Sequence, residues 1–335
     1  MLAFVIRRLG FLVIVVIGVS MLTFAMSHLV PADPARLLLG KTATPAQITQ
    51  IRRGLGLDQP VPVQYLIYMD HLLHGDFGQS ISSRRPVLSD FLDYFPATVE
   101  LTLYAMLMAL VVGIPLGVLS AVWRGGWLDH FTRVTSLFGV SIPLFWLGLL
   151  FQLIFFGWLH ILPSDSRLDG NVAAPHHITG MYTVDSLLTA NWPALFSSLD
   201  HVLLPAATLA FATLATVIRV TRSSMIEALG KDYIRTARAK GVARWRVNVR
   251  HALRNALIPT ITLVGLQFGN LLGGAFLVEI VFSWPGIGFY SVQAIRNFDY
   301  AAIMGITIIV AIAYTVINLV VDLLYAVLDP RITYA

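Results

Sequence analysis

Apolar residues in this chain gather in long unbroken runs, not at the three-to-four spacing of a soluble helix or the alternation of a half-buried strand. Six such runs cover about 9–29, 98–122, 134–158, 202–218, 259–281 and 301–323. A helix needs about 20 apolar residues to cross the hydrocarbon layer of a bilayer, so the pattern predicts an all-α integral membrane protein with six transmembrane helices. The fourth run is the weakest, being short and interrupted by Pro205 and several threonines. Two long polar stretches separate the spans. Residues 31–97 carry Pro31, Pro34, Pro45, Pro60, Pro62, Pro86 and Pro96, and the stretch from Pro45 to Gly78 reads as short surface helices with a glycine stop. Residues 159–201 are rich in turn formers, which predicts a segment without a core of its own.

Composition agrees with a membrane chain. Among the 335 residues 57% are hydrophobic and 12% charged, against about 25% charged in a soluble domain. The net charge of +5 does not point to nucleic acid, because much of the excess sits in one short loop between apolar runs. From Arg219 to Arg254 there are ten Lys/Arg against Glu227 and Asp232. Lys and Arg accumulate on the cytoplasmic side of membrane proteins, so loop 219–258 is expected inside, together with 123–133 and both chain ends. Arg7 and Arg8 agree. Six Lys/Arg in 31–97 run against the bias, but loops beyond about 60 residues largely escape it. The N-terminus MLAFVIRRLG imitates a signal peptide. The run Leu9 to Leu29 is longer than the usual apolar core of one, however, and no clear A-x-A site follows. A retained first membrane helix is expected.

The chain has no cysteine, which excludes disulfides, thiolate metal sites and cysteine nucleophiles. Gly40-Lys41-Thr42 lacks the glycine that a phosphate-binding loop places five positions earlier, where Ala35 stands. No nucleotide site is therefore expected, and energy has to come from a partner. His71/His74 and His176/His177 are read as surface residues, with no cluster completing a metal site. There is no G-x-S-x-G or H-E-x-x-H motif. Few ionisable groups lie at membrane depth. Glu100 opens the second span, Glu279 closes the fifth and Asp322 lies near the end of the sixth beside Asn318. Each is expected in a solvated or capping role. That scarcity argues against a proton-coupled carrier working alone. Glycines recur at four-residue spacing at Gly113/Gly117 and at Gly265/Gly269/Gly273, a spacing that lets helices approach closely, within this subunit or against a second one.

The basic loop itself is patterned. Tyr233, Ile234, Ala237, Gly241, Val242 and Trp245 fall on one face at helical spacing, and Arg235, Arg238, Arg244 and Arg246 fall largely on others. Gly241 weakens a helix and suits a turn. The expected form is a short amphipathic helix, a glycine turn, and a second helix leading to Pro259. Its small apolar face either lies on anionic headgroups or docks into a partner protein.

The stretch YIRTARAKG followed by HALRNALIP resembles the EAA loop of permease subunits in binding-protein-dependent ABC importers, in the version of the peptide and nickel subfamily and closest to its dipeptide branch. RRLGFLVIVVIGVSMLTFAMSHLVPADPA near the N-terminus, DFGQS at 76–80, SIPLFWLG at 141–148, EIVFSWPGIG at 279–288 and NLVVDLLYAVLDPRI at 318–332 agree, so the resemblance covers nearly the whole chain. Where other ABC importers have Glu-Ala-Ala, this chain has Arg235-Thr236-Ala237. The resemblance implies the type I ABC importer permease fold: an N-terminal transmembrane helix at 1–30, an extracytoplasmic segment at 31–97 and a transmembrane core at 98–328 that includes the cytoplasmic loop 219–258. It implies that Tyr233, Arg235, Thr236, Ala237, Arg238, Ala239, Lys240 and Gly241 form the ATPase-coupling loop. It implies no catalytic, cofactor or metal site in this chain, with ATP and Mg bound by partners. The implied partners are a second permease subunit, two ATPase subunits, an extracytoplasmic peptide-binding protein received by 31–97 and 159–201, and membrane lipid, in the cytoplasmic (inner) membrane of a bacterium. The implied cargo is a dipeptide or short peptide. Nickel, glutathione or oligopeptide import, and a stand-alone secondary transporter, are the alternatives.

Overall fold

The computed structural model of the chain describes residues 2–29, 44–54 and 58–328. Among them the only β pairing is an isolated bridge between Gln79 and Pro86; the rest is helix and connection. In chain order the helices are α1 Leu2–Leu29, α2 Pro45–Gly54, α3 Val61–Leu73, α4 Val87–Val122, α5 Trp127–Ser141, α6 Leu144–Phe151, α7 Tyr182–Leu188, α8 Trp192–Leu229, α9 Asp232–Ala239, α10 Arg254–Val281, α11 Ile287–Arg296 and α12 Tyr300–Leu328. Two π-helical stretches extend α6 through Gln152–Trp158 and lead into α10 through Val247–Leu253. Among the described residues three helices are by themselves long and apolar enough to cross a membrane, and two bent pairs bring this to as many as five; α1 adds the apolar stretch Gly10–Met26. The chain is a multi-pass helical membrane protein.

The chain divides into two compact units. One comprises Met1–Phe95 and Tyr290–Ala335, the other Pro96–Phe289. In the first, α1 packs along α12. The DFGQS stretch is fixed by hydrogen bonds: Asp76 Oδ1 accepts the Gly78 amide at 2.9 Å, and Ser80 Oγ donates to Asp299 Oδ2 at 2.7 Å. Asp299 also caps α12 by accepting the Ala302 amide at 3.1 Å. A side chain on Gly305 would strike the Phe77 carbonyl, so α12 lies hard against this turn. Asp90, buried at the start of α4, accepts from Tyr290 Oη at 2.7 Å and Ser83 Oγ at 2.6 Å.

In the second unit α8 is the central element, packed by α5, α6, α7 and α10. The fourth run of the sequence, expected to be short and weak, lies inside this helix of 38 residues, of which 67% of the most apolar window is buried. At about 1.5 Å per residue it spans roughly 57 Å. Pro205 does not break it. The threonines that weakened the apolar signal are solved locally, Thr208 Oγ1 donating to the Leu204 carbonyl and Thr216 Oγ1 to that of Ala212. The third run, expected as one span over 134–158, is broken: Trp127–Gly139 and Leu144–Trp158 meet at 115°, at Pro143. Pro143 lacks the donor and disfavours helix in the residue before it.

Segment 159–201, expected to lack a core of its own, is anchored by buried polar groups, in part to Glu100 of α4. Arg167 pairs with Glu100 at 2.5 Å, donates to the Gly180 carbonyl at 2.9 Å, and lies 3.6 Å over the Tyr182 ring. Glu100 also accepts the amide and hydroxyl of Thr183, so it is buried and paired and not solvated. The Asp185 carboxyl is held below the usual carboxylate range. Burial raises it, but the Thr179 hydroxyl and the Thr179, Ile178 and Gly180 amides outweigh that.

Candidate functional site

The basic loop begins where α8 ends. Lys231, paired with Glu227 at 2.8 Å, stands at the N-cap of α9, and Asp232 lies in its first turn, where the helix dipole favours a negative charge. At the far end Gly241 adopts φ +76°. The Gly241 amide donates to the Arg238 carbonyl at 3.0 Å and the Val242 amide to that of Ala237 at 3.2 Å. This pair of bonds is a Schellman stop, and the left-handed residue it requires is the glycine.

The two faces of α9 divide differently from the sequence pattern. Ile234 and Ala237 are buried, but against the chain's own helices. They share a small core with Val118 of α4, Met225 and Ala228 of α8, and Val247, Ala252 and Ala256 at the entry to and start of α10. The apolar stripe, expected to face headgroups or a partner, is therefore split. Its inner part holds α9 in place, while Tyr233 and Trp245 remain exposed. The Tyr233 hydroxyl accepts from Asn255 Nδ2 at 3.2 Å. The surface left outside presents Arg235, Thr236, Arg238, Ala239 and Lys240, a short basic ledge with small side chains between the charges. Ile234 is wholly enclosed. Ile234→Ala should therefore destabilise the purified protein by about 2–5 kcal/mol, read as an earlier unfolding transition in detergent. An unchanged transition would show that α9 is not seated through this residue.

An ion pair on a buried carboxylate beneath the loop is not visible in the sequence. Asp129, in the first turn of α5 with 0% of its surface exposed, accepts from Arg222 of α8 through Nε at 2.6 Å and Nη2 at 3.0 Å. Ser120 Oγ at 2.8 Å and the Gly125 amide at 2.9 Å complete the carboxylate's partners, with Arg133 3.5 Å away. The residues are 93 positions apart, so no local pattern announces them.

On the opposite side of the second unit, EIVFSWPGIG is a hydrogen-bonded device. Glu279 is buried and accepts from Thr98 Oγ1 at 2.6 Å, from the Gly288 amide at 2.7 Å and from the Phe289 amide at 3.1 Å. The expected capping role is what it performs, on α11. Trp284 Nε1 donates to the Ala97 carbonyl at 2.9 Å, and Thr98 Oγ1 accepts the Ile287 amide at 2.9 Å. Gly286 and Gly288 are required by the approach, since a side chain on either would run into the Glu279 carboxylate.

Of the glycine repeats, Gly113 and Gly117 face α8, where an added Cβ would meet Val217 and Thr221 at 2.8 and 2.7 Å. This pair packs within the subunit. Gly139, outside either repeat, packs the same way on Ala215. Gly265 and Gly269 are buried, and Gly273 faces open space. Gly40-Lys41-Thr42 and the side chain of Asp322 lie outside the described residues.

Comparison with known proteins agrees on one class. Residues 113–334 match the family described as binding-protein-dependent transport system inner membrane component, and residues 1–102 match the N-terminal part of such components. A probable D,D-dipeptide transport system permease protein of Escherichia coli is 52% identical over 97% of this chain and 96% of its own length. A dipeptide transport system permease protein of Alkalihalophilus pseudofirmus is 43% identical over the whole of both chains. A glutathione transport system permease protein of Salmonella paratyphi A is 40% identical, again over the whole of both.

Proposed function

Since the chain belongs to the inner membrane components of binding-protein-dependent transport systems, we propose that it is a permease subunit of an importer that moves dipeptides or short peptides across a bacterial cytoplasmic membrane. The observation that carries the substrate class is full-length identity of 52% and 43% to permeases of dipeptide systems. As a permease component the chain is not itself an enzyme and carries no cofactor; nucleotide is bound by partner ATPase subunits. The remaining partners in this reading are a second permease and an external peptide-binding protein, received by 31–97 and 159–201.

The reading has six spans with both ends inside. They are arranged as a first helix at 1–30, an outer segment at 31–97 and a transmembrane core at 98–328. The ten Lys/Arg between Arg219 and Arg254 support it. Lys240→Cys should react with a membrane-impermeant thiol reagent only after the inner face is opened, and Gly170→Cys, at an exposed site with room for a side chain, from outside in intact cells. Labelling of position 240 from outside would overturn the topology.

The coupling surface in this reading is the outward face of α9: Tyr233, Arg235, Thr236, Arg238, Ala239 and Lys240. Ala237 and Gly241 support that face from within and from its end. ATP shifts an inward–outward equilibrium only through contacts that differ between the two states, and α9 is where those contacts reach this chain. The basic ledge suits an acidic-rimmed groove on the ATPase. The test is uptake of a labelled dipeptide into vesicles holding the assembled importer, its binding protein and internal ATP. ATP-dependent dipeptide uptake is expected. Uptake of glutathione in its place would move the chain to the second reading, which rests on the 40% identical relative. No uptake with an assembled complex would overturn the peptide assignment.

A further inference from the structure

Arg222 is one of the ten basic residues that mark the inner face, yet its guanidinium is turned into the protein. Both of its bonded nitrogens go to one buried carboxylate, that of Asp129. Planar two-point pairing of this kind fixes orientation as well as distance. Asp129 has spent its other acceptor capacity on Ser120 of α4 and on the Gly125 amide in the turn between α4 and α5. Ser120 Oγ also lies 2.9 Å from Thr132 Oγ1. Three elements of the second unit, α4, α5 and α8, therefore converge on a single carboxylate. Gly125 reaches it from a left-handed turn at φ +80°.

The place of this clasp gives it meaning. Arg222 lies seven residues before Leu229, the last residue of α8, about two helical turns from the start of the coupling loop. At its other end α5 is held to α8 again, because Gly139 has no room for a side chain against Ala215 and Phe211. Residues 129 and 139 of α5 thus face 222 and 211–215 of α8, which sets the two helices antiparallel and fastened at both ends. The chain then bends by 115° before α6. Helix α9 shares the small core with Met225 and Ala228 of α8, and α5 is tied to that same stretch of α8.

We propose that Asp129 and Arg222 are a positioning pair for energy coupling: they make α5 move as one body with α8 and the coupling loop, so that the hinge of the third span falls at Pro143 and not at the cytoplasmic surface. This rests on the function proposed above. Asp129 is fully buried and Arg222 is committed to it, so the pair acts in this proposal through position.

The test uses the complete importer in vesicles and reads peptide taken up per ATP hydrolysed. Asp129→Asn leaves Arg222 without its counter-charge, so the double variant Asp129→Asn/Arg222→Met is made beside it, which removes the strut and leaves only the half-exposed Arg133 without its carboxylate neighbour. The double variant is expected to assemble with its ATPases and hydrolyse ATP near the wild-type rate. Its uptake per ATP should fall about tenfold, within the range by which side chains along a coupling route alter it. Arg222→Lys, with one nitrogen in place of the two-nitrogen fork, should fall between. If the double variant transports with the wild-type ratio, and only the amount of assembled complex changes, the pair is structural and the proposal is overturned. If the wild-type complex itself shows no ATP-dependent uptake, the function proposed above fails, and the clasp's role fails with it.

Discussion

Gly288→Ala is expected to abolish recovery of the folded chain. A Cβ at this position would lie 2.6 Å from the Phe276 Cα and 2.9 Å from a Glu279 carboxylate oxygen. The first of these atoms is backbone and cannot swing aside. Overpacking of a filled site costs about 1–3 kcal/mol and more when main chain has to move. Here it also breaks the bonds by which Glu279 receives the Gly288 and Phe289 amides. Gly286→Ala should behave alike, because its Cβ would enter the same carboxylate. Glu279→Gln, by contrast, keeps an oxygen for the two amides and should cost about 1 kcal/mol, the worth of one hydrogen bond. The measurement is the yield and unfolding temperature of the detergent-extracted protein. Wild-type values for Gly288→Ala would show that α11 does not dock on Glu279 as described.

Gly241→Val should separate insertion from transport. There is open space around this glycine, so valine meets no clash. The penalty is conformational, because φ is +76° and the left-handed region costs an L-residue about 1–2 kcal/mol, with a β-branched side chain at the upper end. A strain of that size changes the population of the native turn by about 5–30-fold. The variant is expected to reach the membrane and assemble in normal amount while ATP-driven uptake falls by at least about fivefold. Gly241→Asn, which tolerates the left-handed region, should retain most uptake. Equal transport by the valine and asparagine variants would remove the turn from the mechanism.

The reach of the sequence can be judged residue by residue. Apolar run lengths located α4, α8, α10 and α12, because hydrocarbon thickness imposes a length that needs no knowledge of tertiary contacts. They misjudged α8. Packed at the centre of the second unit, it can bury Thr208, Thr213 and Thr221 against its own neighbours, residues that read as weakness in a span. The break at Pro143 was readable from proline chemistry, but the apolar run passes over it without a change in hydropathy. Gly241 was legible as a turn, since only backbone geometry was at stake. Which side of α9 faces inward was not, because a short amphipathic helix beside a membrane has the same pattern whether lipid, a partner or its own chain covers its apolar side. Glu100 with Arg167 and Asp129 with Arg222 were invisible for a different reason. Each joins residues 67 and 93 positions apart, and a lone charge near a span end looks alike solvated or paired.

Ile234 and Ala237 are the side chains of α9 buried in the chain's own core, so its exposed basic residues contribute little to holding the helix in place. Arg235, Thr236, Arg238, Ala239 and Lys240 can be exchanged without altering what holds the helix in its seat. Under the proposed coupling role, such a chain could be re-addressed to a different ATPase by changing a few surface residues, with the membrane part left as it is. Grafting those five positions between related systems is the experiment that this reading invites, with motor choice expected to change while the transmembrane part keeps its cargo.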